Sequence, residues 1–258
     1  MMIQRKGAKI ACMLLMVCGI LPAVFGQDRT FKIGFQASPV FSTMHNSSNI
    51  ILNSGDSFGW KLGVISDIPL KEKLSITAGI NMAFGEGGEF LYEVGGNYLP
   101  NSELSDPLLQ TGDKPLPDGV KIRYKYKYLD IPIGLKFRTE QKGNRNWFLE
   151  VPVISFSFLL KGRGDIESAD FFYEQENIYN DLVVPNVFLG LGLGMEYAIN
   201  RSSSFLLGLY YQRGLLDATK NDGWLAIMNP SISPTYLRVS DDSHARISNF
   251  IVFVGLLF

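Results

Sequence analysis

The chain has 258 residues, of which 46% are hydrophobic, and its formal net charge at pH 7 is −1. This near-neutral balance argues against a nucleic-acid partner bound through a basic surface. The length suits one domain. Both cysteines, Cys12 and Cys18, lie in the N-terminal segment that we expect to be removed on export. The remaining chain then has no thiol for disulfides, metal binding or nucleophilic catalysis.

The N-terminus has the pattern of a secretory signal peptide. Basic residues at positions 5, 6 and 9 precede an apolar run over 10–25, and small residues permit cleavage after Gly26. The apolar run is short for a transmembrane helix, which needs roughly 20 residues. We therefore expect residues 1–26 to direct export and residues 27–258 to form one barrel domain. Loss of three of the 24 basic residues leaves 21 against 25 acidic ones, a net charge of −4.

Beyond this segment, eight stretches alternate apolar and polar residues with a period of two. This alternation is typical of strands that have one wet and one apolar face. The predicted strands are 31–41, 58–68, 74–84, 121–137, 147–160, 184–198, 204–214 and 247–258. No later run of 18 or more apolar residues occurs, so the sequence predicts no membrane-spanning helix in the exported domain.

The connections between the predicted strands are alternately long and short. Two of the long ones, 85–119 and 161–182, are acidic, whereas the short turns lean basic. This pattern is typical of an eight-stranded outer-membrane barrel with short periplasmic turns and longer outer loops. We therefore predict an all-β fold, an eight-stranded antiparallel up-and-down transmembrane β-barrel. Side chains such as Leu206, Ile251 and Phe253 should help to fill its narrow interior.

The last predicted strand resembles the C-terminal signal of bacterial outer-membrane barrels. Its alternate positions, counted back from the terminal aromatic residue, are all apolar. They are Phe258, Leu256, Val254, Val252 and Phe250. The resemblance implies recognition by the barrel-assembly machinery during insertion. A buried C-terminal strand of a globular protein has the same period, so these residues alone leave both interpretations open.

The fourth predicted strand contains a run that resembles a family motif. Tyr128, Leu129, Asp130, Ile131 and Pro132 are similar to the Tyr-Leu-acid-Ile-Pro-Leu motif of the PorT-like outer-membrane β-barrel family of Bacteroidetes. The resemblance also includes the strand count and the terminal Phe. It implies an eight-stranded, porin-like barrel of the bacterial outer membrane. Some members of that family take part in protein secretion, whereas most have no assigned activity.

The same motif can be interpreted from its residues. Pro132 has no N–H to donate to a sheet and is expected at a bulge or an edge. Glu150 and Pro152 form a matching acid-Val-Pro run on the fifth strand, so we predict that the two prolines lie opposite each other at a shared bulge. Asp130 and Glu150 should then face the interior, where a carboxylate needs a partner. The candidate partners are Lys61 and Lys136.

Four basic residues share one face at the loop end of the fourth strand. They are Lys121, Arg123, Lys125 and Lys127. Lysines at this level could contact lipopolysaccharide phosphates as point charges. They could equally form an ordinary wet extension of the strand above the bilayer. We predict outer-membrane lipid and lipopolysaccharide as partners and keep both interpretations of this strip open.

No motif indicates a cofactor or an enzyme. His45 and His244, with Asp241 and Asp242, are similar in kind to the loop-borne residues of outer-membrane proteases, but the sequence gives no geometry. The sequence favours a non-enzymatic outer-membrane protein with a structural or partner-binding role, possible partners being other envelope proteins. Two alternatives stay open: a narrow porin-like channel for small solutes, and a soluble secreted barrel that carries an apolar ligand among inward leucines.

Overall fold

The computed structural model describes residues 31–106, 109, 115–200, 202–228 and 236–258, and these residues are mostly β-structure. The predicted signal peptide, residues 1–26, lies outside the described residues. The strands are β1 (Lys32–Asn46), β2 (Ile51–Lys71), β3 (Leu74–Tyr92), β4 (Gly96–Asn97), β5 (Val120–Arg138), β6 (Arg145–Glu167), β7 (Phe172–Asn177), β8 (Pro185–Ala198), β9 (Ser204–Gly214), β10 (Trp224–Met228), β11 (Tyr236–Ser240) and β12 (Ala245–Leu257). A 3₁₀ turn, Tyr179–Asp181, lies between β7 and β8. Among these residues there is no helix with the length and hydropathy of a membrane span.

Eight of the described strands form a closed antiparallel ring. Its order is β1, β2, β3, β5, β6, β8, β9 and β12. The last strand closes on the first, with Val40 opposite Ile251 and Gly34 opposite Leu257. Closure leaves no open strand edge within the ring. The predicted fold class, an eight-stranded antiparallel up-and-down barrel, is confirmed.

An apolar belt surrounds the ring on its outward face. On β8, Leu189, Leu191 and Leu193 are 45%, 46% and 50% exposed. The outward positions from Val187 to Tyr197 span about 25 Å, given a rise of about 3.3 Å per residue and a tilt of about 40°. That height matches the apolar band of a transmembrane barrel. These leucines of β8 face outward, which contradicts the alternative of a soluble barrel with inward leucines.

Aromatic pairs mark both edges of the belt. At the turn end, where strand connections are short, the ring of Phe258 lies 6.2 Å from that of Phe35. At the loop end, where connections are long, Phe41 and Phe58 are 5.3 Å apart. Aromatic girdles of this kind flank the apolar band of transmembrane barrels. The C-terminal dyad lies on the same outward face of β12: Phe250, Val252, Val254, Leu256 and Phe258.

Several strands extend further toward the loop end than the sequence predicted. The structure continues β3 to Tyr92 and β6 to Glu167, through segments that we expected to be loops. The pairings shift register near Gly85 and Leu160, which changes the alternation by one residue and conceals the continuation. The expected loops also contain β4, β7, β10 and β11, and β4, β10 and β11 form a separate small sheet.

The predicted opposition of the two prolines is wrong. Pro132 lies opposite Ser155. Pro152 occupies a bulge of β6, because this strand has one residue more than either neighbour between Glu150 and Val153. The turn between β5 and β6 is centred later in the chain than the sequence suggested, and the bulge adds a further residue. Pro152 therefore lies in this bulge without Pro132 opposite it, and a bulge tolerates the missing N–H of a proline.

Candidate functional site

Aromatic side chains fill the interior toward the loop end. Tyr124, Tyr126 and Tyr128 project inward from alternate positions of β5, and their rings stack with centroid distances of 6.3 and 5.5 Å. Phe188 of β8 packs edge-on against Tyr128 at 6.3 Å. The hydroxyl oxygens of Tyr92 and Tyr124 are 2.6 Å apart and share a hydrogen bond. These buried side chains, here called the aromatic plug, occupy the cross-section of a ring just wide enough to be filled in this way.

A buried ionic triad lies below the plug. The ammonium of Lys61 is 2.5 Å from Asp130 Oδ2 and 3.1 Å from Glu86 Oε1. It also donates to the side-chain oxygen of Gln212 at 3.4 Å. All three charged side chains are buried, and two carboxylates share one cation. Such a group is tolerated only while its charges remain paired, because removal from water is costly for each ion.

A bulge at Gly85 places Glu86 in this triad. The β3–β5 pairing shifts between Phe84 and Glu86, which sets Glu86 opposite the inward Tyr126. Gly85 has a φ of +74°, in the left-handed region that favours glycine. Gly59, on the neighbouring strand, leaves room for this bulge, since a Cβ there would lie 2.1 Å from the Phe84 carbonyl oxygen. Two glycines thus allow a carboxylate to enter the barrel.

A second ionic network closes the interior at the turn end. Asp67 accepts hydrogen bonds from Lys136, at 2.9 Å, and from Arg138. Arg138 Nε also donates to Glu196 at 2.8 Å, and Lys32 lies 3.6 Å from the same carboxylate. Lys136, which we considered as a partner for the motif carboxylates, therefore binds Asp67 instead. The network links β1 and β2 to β5 and β8, which lie much later in the sequence.

The two motif carboxylates both face the interior. Asp130 pairs with Lys61, which agrees with the expectation from the sequence. Glu150 is held by hydroxyl groups: Tyr210 donates to it at 2.7 Å, and Thr77 makes a second hydrogen bond. The two carboxylates of the paired acid-X-Pro runs thus have different chemical surroundings.

The other motif residues have roles in the barrel wall. Tyr128 belongs to the aromatic plug, and Leu129 and Ile131 occupy the outward positions of β5. Pro132 borders a cavity of about 60 Å³ that touches both the triad and Asp67. This volume admits a few water molecules, whereas pockets for drug-sized ligands measure roughly 300–1,000 Å³. The interior offers no space for an organic substrate at this cavity.

The four basic residues of β5 point outward, opposite the inward tyrosines. Two of them are neutralised by acids on neighbouring strands: Arg123 lies 2.6 Å from Glu89, and Lys125 pairs with Asp165. The basic strip predicted from the sequence is therefore divided by ion pairs.

Several interior residues were not predicted from the sequence. Four of them occupy inward positions on strands whose residues alternate between the two faces, so the period of two could have placed them. They are Asp67, Arg138, Glu196 and Tyr210. Glu86 could not be found in this way, since the bulge before it breaks the alternation.

The loop histidines do not form a recognisable catalytic group. His244 Nδ1 is 2.9 Å from Asp217 Oδ2 at an exposed position. Asp241 accepts the backbone N–H of Ser243 in a local turn. His45 lies opposite Arg246 at the end of β1. In the part of the chain that the structure describes, no group of three or more His, Cys, Asp or Glu side chains is arranged to hold a metal ion.

Several solved bacterial surface and outer-membrane proteins are similar to this chain. A comparison with curated protein sequences gives no match. Similar solved structures include Neisserial surface protein A (10% identity, 88% of this chain and 95% of that chain, TM-score 0.40). Others are Ail, the attachment invasion locus protein of Yersinia pestis (10%, 89% and 100%, 0.39), and OprG from Pseudomonas aeruginosa (13%, 88% and 95%, 0.40). At such identities we draw no functional argument from them.

A sequence-family model supplies the assignment. The model described as "Outer membrane protein beta-barrel domain" matches residues 25–220, which is well over half of the chain. Its description agrees with the closed ring and the apolar belt, and it implies a bacterial outer-membrane location. The chain belongs to the outer membrane protein beta-barrel domain family.

Proposed function

We propose that this protein is a non-conducting, non-enzymatic barrel that acts by presenting its outer face to a partner in the cell envelope or at the cell surface. The observation that carries the proposal is the filled interior. The aromatic plug lies above a fully buried ionic triad, and the cavity beneath is only about 60 Å³. A diffusive pore needs a continuous aqueous path, which these side chains occupy.

The small sheet of β4, β10 and β11 offers a surface for such a partner. In β10 and β11, Ile227, Met228 and Leu237 are 47%, 80% and 50% exposed. The rings of Trp224 and Tyr236 stack at 5.7 Å on the face of this strand pair that also carries Met228, whereas Ile227 and Leu237 lie on the opposite face. Exposed apolar groups beyond the lipid belt are a common feature of protein interaction sites. They support a role outside the barrel.

Planar-bilayer recording tests the proposal. We expect the wild-type barrel to insert without conductance steps, because the plug and the triad lie in series along its axis. A variant with Tyr126→Ala and Tyr128→Ala, which thins the plug, serves as a comparison for leak currents. Regular single-channel steps from the folded wild-type protein would refute the proposal.

A narrow channel for small solutes is the second candidate function. The polar lining near the turn end, with Asp67, Lys136 and Glu150 around the cavity, favours it. Under this alternative the plug must move to open a path. Solute-dependent swelling of vesicles that contain the wild-type protein would support the channel.

Two finer assignments rest on the sequence. The run from Tyr128 to Pro132 supports membership of the PorT-like group of Bacteroidetes, and residues 1–26 are proposed as its export signal. N-terminal sequencing of the mature protein should begin at Gln27. A contribution to protein secretion rests on the family resemblance alone. Loss of exported proteins from a deletion strain, restored by the intact gene, would test it.

A further inference from the structure

Two lysines face each other on the outer surface of the barrel. Lys127 of β5 and Lys161 of β6 are direct partners in the antiparallel pairing, and both occupy outward positions. Directly opposite residues have Cβ atoms about 5 Å apart, where like charges are destabilising. Among the described residues, neither ammonium lies within ion-pair distance of a carboxylate. The pair therefore lacks a counter-charge from the surrounding described surface.

A bulge sets Lys161 in this position. Tyr128 pairs with Leu159, whereas Lys127 pairs with Lys161, so Leu160 is the extra residue. Leu160 faces outward and is exposed. Strict alternation would turn Lys161 inward, toward the aromatic plug. Bulges commonly re-aim a side chain in this manner, and here the bulge brings a second cation beside the first.

The pair lies at the loop-end edge of the apolar belt. The next outward residue of β5 toward the belt is Leu129, whose partner Phe158 on β6 is exposed. The ammonium of Lys127 sits 4.7 Å from the ring centroid of Phe84. Aromatic rings and the heads of long basic side chains collect at the level of lipid headgroups. The two ammonium groups thus lie where headgroup phosphates are found.

Both members of the next outward pair have partners within the protein. Lys125 lies opposite Arg163. Lys125 pairs with Asp165, and Arg163 donates to the Gln175 carbonyl oxygen at 2.8 Å. These groups add positive charge nearby but have protein partners. Of these four cations, only the two lysines next to the belt make neither an ion pair nor a hydrogen bond with a described residue.

From the pairing, the bulge and the height, we infer that Lys127 and Lys161 form a binding site for the phosphate groups of lipid A in the outer leaflet. A phosphate between two ammonium groups removes their mutual repulsion and accepts hydrogen bonds from both. The site differs from the strip predicted from the sequence. Arg123 and Lys125 are neutralised by acids, and Lys121 lies six residues beyond Lys127, roughly 20 Å further along the strand. The inference does not depend on whether the barrel conducts.

The test compares lipid A binding by a Lys127→Ser/Lys161→Ser variant and by wild type, with purified barrels in detergent and native mass spectrometry as the readout. We expect the apparent affinity to fall about thirtyfold, since each lysine near an anionic lipid surface contributes about a factor of five. Lys121→Ser is the control for loss of a single charge, because it removes one ammonium group from the same face of β5 above the belt, and it is compared with Lys127→Ser alone. It should alter the affinity by less than about twofold, since it lies outside the site.

Three further arms identify the ligand. Wild-type protein should bind lipid A that lacks its phosphates about as weakly as the double variant binds the intact lipid. Lys127→Arg/Lys161→Arg should retain binding, and a heat-induced shift in gel mobility confirms that each variant is folded. Inorganic phosphate at equal concentration should not displace the lipid. The inference fails if phosphate-free lipid A binds equally well, if Lys121→Ser lowers affinity as much, or if free phosphate displaces the lipid.

Discussion

The buried triad allows a quantitative test of the fold through Lys61. Replacement of Lys61 by Met leaves Asp130 and Glu86 facing each other without their shared cation. Removal of one partner from a buried ion pair typically costs about 3–5 kcal/mol, because the remaining charge is uncompensated. Here two carboxylates lose the same partner. We therefore expect Lys61→Met to lower the free energy of unfolding by at least about 3–5 kcal/mol at pH 7.

The measurement is equilibrium unfolding in lipid vesicles, with urea as denaturant and gel mobility before and after heating as the readout. Lys73→Met is the matched control, since Lys73 makes an exposed 2.7 Å ion pair with Glu140 at the turn end. Exposed pairs contribute roughly 0–1 kcal/mol. The triple variant Lys61→Met/Glu86→Gln/Asp130→Asn should recover much of the loss, because it leaves no unpaired charge. The reasoning is refuted if Lys61→Met is no more destabilising than Lys73→Met.

Three other substitutions test the interior and the outer region. Gly85→Ala should destabilise the barrel by about 1–3 kcal/mol, as a non-glycine residue is strained at positive φ, and its Cβ would lie 2.9 Å from the Phe58 carbonyl oxygen. Gly143→Ala, at a φ of +64° with open space around it, should cost less in the same unfolding assay; an equal cost would rule out the clash. Tyr128→Ala should cost about 3–5 kcal/mol, as for other buried aromatic residues, and a loss below about 1 kcal/mol would contradict a packed plug. Burial raises the pKa of Asp181 above its ordinary value of 3.8. A raised pKa gives stability that is present at low pH and lost as the pH rises through the folded-state pKa. Asp181→Asn should therefore remove this pH dependence from the hydrogen exchange of amides around the 3₁₀ turn. An unchanged pH profile in the variant would contradict the prediction.

Much of the barrel could be predicted because the outward face of each strand contacts lipid, whereas the inward face does not. A lipid-facing strand must place an apolar residue at every second position, as Leu189, Leu191 and Leu193 do, and this pattern is visible in a single strand. The ends of the strands were harder to predict from the sequence. The bulges at Gly85 and Leu160 move the alternation by one residue, and nothing local to Leu160 marks its position. The sequence therefore predicted strand ends at positions where the strand continues and only the alternation of apolar and polar residues shifts by one residue.

The interior pairs were harder to predict because they depend on register between distant strands. The sequence suggested Lys61 and Lys136 as partners of the motif carboxylates but could not choose between them. The choice follows from the pairing of β2, β3 and β5, which places Lys61 beside Asp130 and Lys136 beside Asp67. The later centre of the β5–β6 turn and the bulge at Pro152 together made the predicted proline pairing wrong.

The charged interior explains why function is better sought outside the ring. Apolar side chains on the outward face contact lipid equally well after a slip of two residues, so lipid contact alone discriminates weakly between registers that keep the same face outward. A slip of one residue in β2 would turn Lys61 and Asp67 toward the lipid, where a lysine costs up to about 2–4 kcal/mol depending on its depth. The same slip would break their ion pairs with β5. The inward charges thus fix the register of the barrel wall. A ligand that bound these charged groups would compete with the ion pairs and destabilise the wall. The loop-end surface and the lipid-facing lysines carry no such constraint and are free to bind partners.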